Sequence, residues 1–172
     1  MGCRPVGLVR WVGLLAMLGW TMTALAAPAV GSVPPDFTLA GMEQSEVQLA
    51  RLQGKVVVIE FWASWCPACQ QSMPWLERLQ ARYGVRGLQV VAINVDQKRE
   101  DADAWLVAHP LKLLLAFDPA NRTPRSYDLS AMPATLVIGA DGKVRAAHEG
   151  FEPADIPALE MAVKAALGAP VP

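Results

Sequence analysis

Cys66 and Cys69 stand three positions apart in "EFWASWCPACQQSMPWL" (residues 60–76), behind Trp65 and ahead of a helical pattern. An acidic residue, Glu60, lies six positions before the first of them, inside an apolar run. Three chemistries use such a cysteine pair: a structural staple, part of a metal site, or a reversible redox couple. A four-residue ring stabilises a fold by roughly 2 kcal/mol at best, against about 3 kcal/mol for a fifteen-residue loop, so a staple would be poorly placed here. A structural zinc needs four ligands, and the sequence offers one C-x-x-C with His109 and His148 at unrelated spacings. No metal ligand is assigned, although copper held by two thiolates alone stays open.

The redox reading has a mechanism. A strand that ends at Trp65 and turns into a helix puts Cys66 at the helix amino end, where unpaired amides and the positive end of the dipole stabilise a thiolate. Cys66 then attacks a partner disulfide, and Cys69, one turn on and shielded by the helix, releases the reduced product from the mixed disulfide. Pro67 suits a first helical turn, where its missing N–H costs nothing, and with Ala68 it forms the dipeptide between the sulfurs. Alternation along the strand puts Glu60 beneath this site. There, loss of water raises its pKa and makes it a proton acceptor for Cys69; the alternative is a carboxylate reaching solvent at a sheet edge. Trp65 reads either as a docking aromatic beside the thiol or as ordinary packing, Trp62 as core, and the two histidines as surface residues.

These residues need a frame. "VPPDFTL" and "SEVQLARL" have the alternation of a β-hairpin around Gly41, and "KVVVIEFWA" is a β-branched run expected of a strand buried on both faces. From Pro67 a helix presents Met73, Leu76, Leu79 and Tyr83 on one side, with Pro74 expected to kink it and Gly84 as its stop. A second strand (87–96), a second helix (99–109), a third strand (111–118) and a short helical "TPRSYDL" follow. Two strands then flank the "ADG" turn, and a last helix carries Ile156, Leu159, Val163 and Leu167 to Gly168. Alternating βαβ followed by an antiparallel pair predicts an α/β architecture, a mixed central sheet flanked by helices.

The amino-terminal stretch is of another kind. Arg4 and Arg10 precede an uncharged run from Trp11 to Val30, with "ALA" at 24–26, as in an export signal; the length equally suits a membrane anchor. The expected division is a signal peptide or anchor at 1–26, a linker at 27–34 and one domain at 35–168. Either reading places the domain outside the cytoplasm, in a periplasmic or similar compartment. Removing the leader takes the formal charge from −1 to −3. So mildly acidic a surface gives no reason to expect nucleic acid as a partner.

Over residues 35–168 the chain resembles the thioredoxin fold. "FWASWCPAC" stands where that fold carries its redox motif, and "MPAT" (132–135) where it carries a cis-proline loop. The amino-terminal β-hairpin and the inserted helix–strand unit at 99–118 narrow the resemblance to the TlpA/ResA-like thiol-disulfide proteins. The resemblance implies that Met132 and Pro133 face the cysteines and present backbone to an extended partner chain, where the bare residues also allow the start of an edge strand. It implies no cofactor beyond the Cys66/Cys69 disulfide, protein substrates bearing disulfides or thiols, and a membrane electron donor that keeps the pair reduced.

The expected activity is therefore a protein-disulfide reductase, with cytochrome c or oxidase maturation as its setting. A disulfide oxidase, a thiol peroxidase and a non-catalytic copper or haem carrier are the rival readings. One departure matters: many TlpA/ResA-like members have Asn at the Glu60 position and an acid where this chain has Ser72, which weakens any transfer of the haem-maturation role.

Overall fold

The computed structural model describes residue 2 and residues 28–168; apart from residue 2, the leader expected at 1–26, with Cys3, lies outside the described residues. β1 (Thr38–Gly41) and β2 (Glu46–Gln48) form the hairpin. They are followed by β3 (Val56–Trp62), α1 (Pro67–Tyr83), β4 (Leu88–Asn94), α2 (Arg99–Ala108), β5 (Leu114–Phe117), α3 (Arg122–Ser126), β6 (Ala134–Ile138), β7 (Val144–Glu149) and α4 (Ile156–Ala166). The strands make one seven-stranded sheet in the order β2-β1-β5-β4-β3-β6-β7. β3 runs parallel to β4 and antiparallel to β6, so the strand leading to the cysteines is interior to the sheet. This is the mixed thioredoxin-like architecture, with the hairpin and the α2–β5 insertion extending one side.

Every residue of β3 is buried, Glu60 among them, as expected of a nearly continuous apolar run. Alternation then decides what each side chain meets. Glu60 and Trp62 point to the face covered by α1 and α2, where Glu60 meets Ser72 of α1 and the Trp62 ring lies 4.9 Å from Trp105 of α2, tilted by 55°. Phe61 points to the opposite face and packs edge-on against Tyr127, which follows α3. α4 joins the first face, where Glu160 approaches Arg82 of α1.

Several expected boundaries move. Leu49–Leu52 leaves the hairpin as a 3-10 turn, because the strand ladder with β1 ends at Gln48. β5 is shorter than the 111–118 run: the Lys112 N–H turns out of the ladder to the Glu77 carboxylate. α1 does end at Tyr83, but Gly84 is not the left-handed stop. It keeps right-handed helical angles and opens a 3-10 turn, and Gly87, at φ 94°, reverses the chain. Pro74 sits inside α1 without ending it.

The sheet edges are short or interrupted. β2 has three residues, and β7 carries a register shift opposite Val137/Ile138. Residues 31 and 32 lie along the start of β7, the Gly31 N–H donating to Val144 O and the Val144 N–H to Ser32 O. Among the described residues no helix is long and apolar enough to cross a membrane.

Tyr127, buried between sheet and α3, donates its phenol proton to the Pro35 carbonyl at 2.7 Å; burial first, then the Asp36 carboxylate, hold its pKa above the usual phenol range. Tyr127→Phe leaves that carbonyl without its donor and should cost about 1 kcal/mol, read as a lower urea midpoint at unchanged slope.

Candidate active site

β3 delivers the chain to the first turn of α1, and the change of backbone direction falls at Cys66. Cys66 has extended angles (φ −97°, ψ 104°) and is the N-cap of α1. Its sulfur accepts from the Cys69 N–H at 3.2 Å, doing for the helix what a serine or aspartate oxygen usually does. Pro67 takes the first helical position, where no donor is lost. Cys66 and Cys69 are joined in a disulfide, their Cα atoms 5.3 Å apart. With the disulfide broken, the same amide and the helix dipole face the Cys66 sulfur and favour its thiolate.

Access to the pair is narrower than the sequence suggests. Cys66 retains only 5% of its surface and Cys69 none, whereas the adjoining Trp65 is 67% exposed. Pro67 is exposed and Ala68 half-buried. The leading sulfur thus lies in a slot beneath its neighbours rather than on an open surface. The cause is the N-cap itself, which turns the Cys66 side chain back over the helix end.

The loop before the slot is tied down by Asp96, a buried carboxylate just beyond β4. It accepts from the Ser64 N–H at 3.0 Å, the Ser64 hydroxyl at 3.1 Å and the Asn94 side-chain amide at 2.7 Å. These bonds fix the residue two before Cys66, so the end of β4 sets the position of the redox turn on β3. Nothing in the spacing of Asp96 from the cysteines, thirty residues away, marks it in the sequence.

On the other side, the Met132–Pro133 bond is cis, and Pro133 leads directly into β6. β6 lies between β3 and β7, so this is not the start of an edge strand. Met132 and Trp65 line one open groove of about 840 Å³ together with Phe61, Val95, Asp96 and Leu129. Among the described residues, the N–H and C=O of Met132 have no hydrogen-bond partner.

Glu60 is fully buried, which removes the edge alternative. Burial pushes its pKa from the ordinary 4.5 up to about 7, against the opposing pull of hydrogen bonds from Ser72 and Thr135. Ser72 Oγ lies 2.5 Å from one carboxyl oxygen and Thr135 Oγ1 donates to the other at 2.6 Å. Thr135 sits opposite Glu60 in the β3–β6 register, and Ser72 sits one turn beyond Cys69 on α1. Among the described residues no group of three or more His, Cys, Asp or Glu side chains is placed to hold a metal ion. His148 pairs with Asp155 at 3.1 Å, and His109 stacks on Trp105.

The sulfur pair is the reacting group of this corner, with no external cofactor, and on a thioredoxin-like sheet that makes the molecule a thiol-disulfide oxidoreductase. The chain belongs to the Redoxin family, which it matches over residues 29–163. It is 32% identical over 137 residues to the thiol-disulfide oxidoreductase ResA of Geobacillus thermodenitrificans, covering 77% of this chain and 79% of the relative. The ResA of Oceanobacillus iheyensis is also 32% identical, over 125 residues, with 70% and 65% covered. A crystal structure from Chlorobium tepidum, provisionally named thiol:disulfide interchange protein DsbE, superposes with a TM-score of 0.80 at 45% identity, covering 83% of this chain and all of that one. StoA from Bacillus subtilis shares the fold at a TM-score of 0.64 and 18% identity, with 76% of this chain and 98% of that one covered.

The raised pKa of Glu60 has a thermodynamic consequence. The unfolded chain releases this proton near pH 4.5, whereas the folded chain holds it to about pH 7. Between those values the folded state binds more protons than the unfolded one, so stability falls as pH rises from 4.5 to 7 and levels off above. The fall attributable to this group is about 3 kcal/mol. Urea unfolding at pH 5 and pH 8 should show that loss in the wild type and its absence in Glu60→Gln; equal pH dependence in the two would contradict the buried carboxyl.

Proposed function

We propose that this chain is an exported reductant of protein disulfides, with Cys66 as attacking and Cys69 as resolving sulfur. The observation that carries the assignment of roles is the N-cap: the Cys66 sulfur faces the amide of Cys69, and Cys66 keeps 5% of its surface while Cys69 has none. The Cys66 thiolate attacks a substrate disulfide, forming the Cys66–substrate bond and expelling one substrate sulfur as thiolate. Cys69 passes its proton to Glu60 and attacks Cys66. The Cys66–Cys69 bond forms, and the second substrate sulfur leaves with the electron pair. The substrate gains two electrons and the cysteine pair loses them.

Trp65, Pro67, Ala68, Met132 and Pro133 form the docking surface in this reading. The unpartnered backbone of Met132 supports pairing with an extended segment of the substrate, and the groove beside it supplies room. Residues 1–26 act as a signal peptide or membrane anchor, residues 27–34 connect it to the domain at 35–168, and a membrane electron donor returns the pair to the dithiol. The basic, then uncharged, leader supports an extracytoplasmic site. Apocytochrome c cysteines and the copper-site cysteines of oxidase assembly are the first substrates to test.

Cys69→Ser should trap substrates as mixed disulfides on Cys66, detected as reductant-sensitive adducts on gels, and Cys66→Ser should trap none. Equal trapping by both variants would reverse or remove the roles. A reduction potential near −270 mV supports the reductant, while one near −120 mV supports a disulfide oxidase instead.

A further inference from the structure

The hydrogen count around Ser72 does not close with an ionised Glu60. Ser72 Oγ lies 2.5 Å from Glu60 Oε1 and 2.9 Å from the carbonyl oxygen of Cys69. A hydroxyl has a single proton to give, and both a carbonyl and an ionised carboxylate only accept. With Glu60 charged, one of the two contacts therefore sets acceptor against acceptor. With Glu60 protonated both close: the Glu60 O–H donates to Ser72 Oγ, and the Ser72 O–H donates to Cys69 O. Thr135 donates to the other carboxyl oxygen in either state. All four residues have no exposed surface, so each bond is made in a medium where an unpaired partner is expensive.

We infer that Ser72 is a positioning residue for the resolving step: its one hydroxyl proton turns between Glu60 and the Cys69 carbonyl, so that the state of the buried acid is passed to the helical turn that carries the resolving sulfur. The inference rests on the reading of Glu60 as proton acceptor for Cys69. Before resolution Glu60 is ionised and Ser72 donates to it. When the Cys69 proton arrives on Glu60, that oxygen becomes the donor, and the Ser72 hydroxyl swings to the Cys69 carbonyl. The electron pair left on the Cys69 sulfur then forms the bond to Cys66, and the substrate sulfur departs as thiolate. The oxidised pair seen here, with Ser72 within reach of both partners, is the state that follows this step.

The charged and titratable surroundings of Glu60 are sparse. α1 contributes the cysteine pair, β6 contributes Thr135, and β4 places Ala92 opposite Glu60. On β7, His148 stands opposite Thr135 but is engaged with Asp155. α4 turns Leu159 and Val163 inward, while its Glu160 and Lys164 approach each other at 3.8 Å.

The test follows single-turnover reduction of a cystine peptide, labelled with a fluorophore and a quencher on its two halves, as a function of pH. The same proteins are titrated by infrared spectroscopy at the Glu60 carboxyl band, which reads protonation without reference to rate. In the wild type the resolving rate should rise with a midpoint near pH 7, where Glu60 ionises. Ser72→Ala removes a donor to the ionised carboxylate and should move both midpoints upward by about half a unit or more, with a step at least about two-fold slower at pH 7. Ser72→Thr keeps the hydroxyl and should restore both midpoints. In Glu60→Gln the pH dependence should vanish, and adding Ser72→Ala to it should change the rate no further. Wild-type midpoints in a folded Ser72→Ala, or a further loss in the double variant, overturn the role of Ser72 while leaving Glu60 in place. A Glu60→Gln protein that retains the wild-type profile overturns instead the reading on which the inference rests.

Discussion

A carboxyl group enclosed in the middle of a sheet must be neutral or be held by enough donors to replace its lost water, and the arrangement around Glu60 follows from that requirement. Two hydroxyls meet it, one from the neighbouring strand and one from the helix above. They stand where they do because β6 pairs with β3 and because α1 brings Ser72 against Glu60. Strand order, helix placement and the side chain at position 72 are thus fixed together around one acid. A shift of one residue in the β3–β6 register would move Thr135 to the opposite face and leave a carboxylate oxygen unpaired.

The sulfur pair is held by a separate set of contacts that meets the first at α1. Asp96 grips Ser64 from the end of β4, and Cys66 caps the helix with its own sulfur. The first attachment is part-buried and the second buried, and both involve backbone amides, so the turn from strand to helix is anchored on each side of Trp65. That leaves an exposed indole on a turn whose flanks are fixed, a combination suited to contact with another protein, since little freedom is lost on binding.

Much of this was legible in the sequence because local patterns and local physics agree. The β-branched run of β3, Pro67 after Cys66 and the helical spacing of Met73, Leu76 and Leu79 each point to the element that forms. Glu60 stands out because it breaks an apolar run. What escaped depends on contacts distant in the chain or on competing ends. Asp96 looks like an ordinary turn residue until Ser64 is placed against it. Gly84 and Gly87 are equally plausible stops from composition, and only a 3-10 turn between them decides for the second. The departure at Ser72 was visible as a substitution, but its contact with Glu60, twelve residues back, emerges only when the helix lies on the strand. The near-complete enclosure of Cys66 depends on how its neighbours pack around the helix end, which spacing alone does not encode.

The outer strands carry a further consequence. An open sheet presents rows of free amides and carbonyls at its two margins, and in a crowded compartment those rows invite neighbouring molecules to add themselves as extra strands. Here one margin is only three residues long, and the other is broken in register and overlaid near its start by residues 31 and 32. The sheet is therefore guarded against fibre-like stacking at both borders, while among the described residues the N–H and C=O of Met132 stay unpaired.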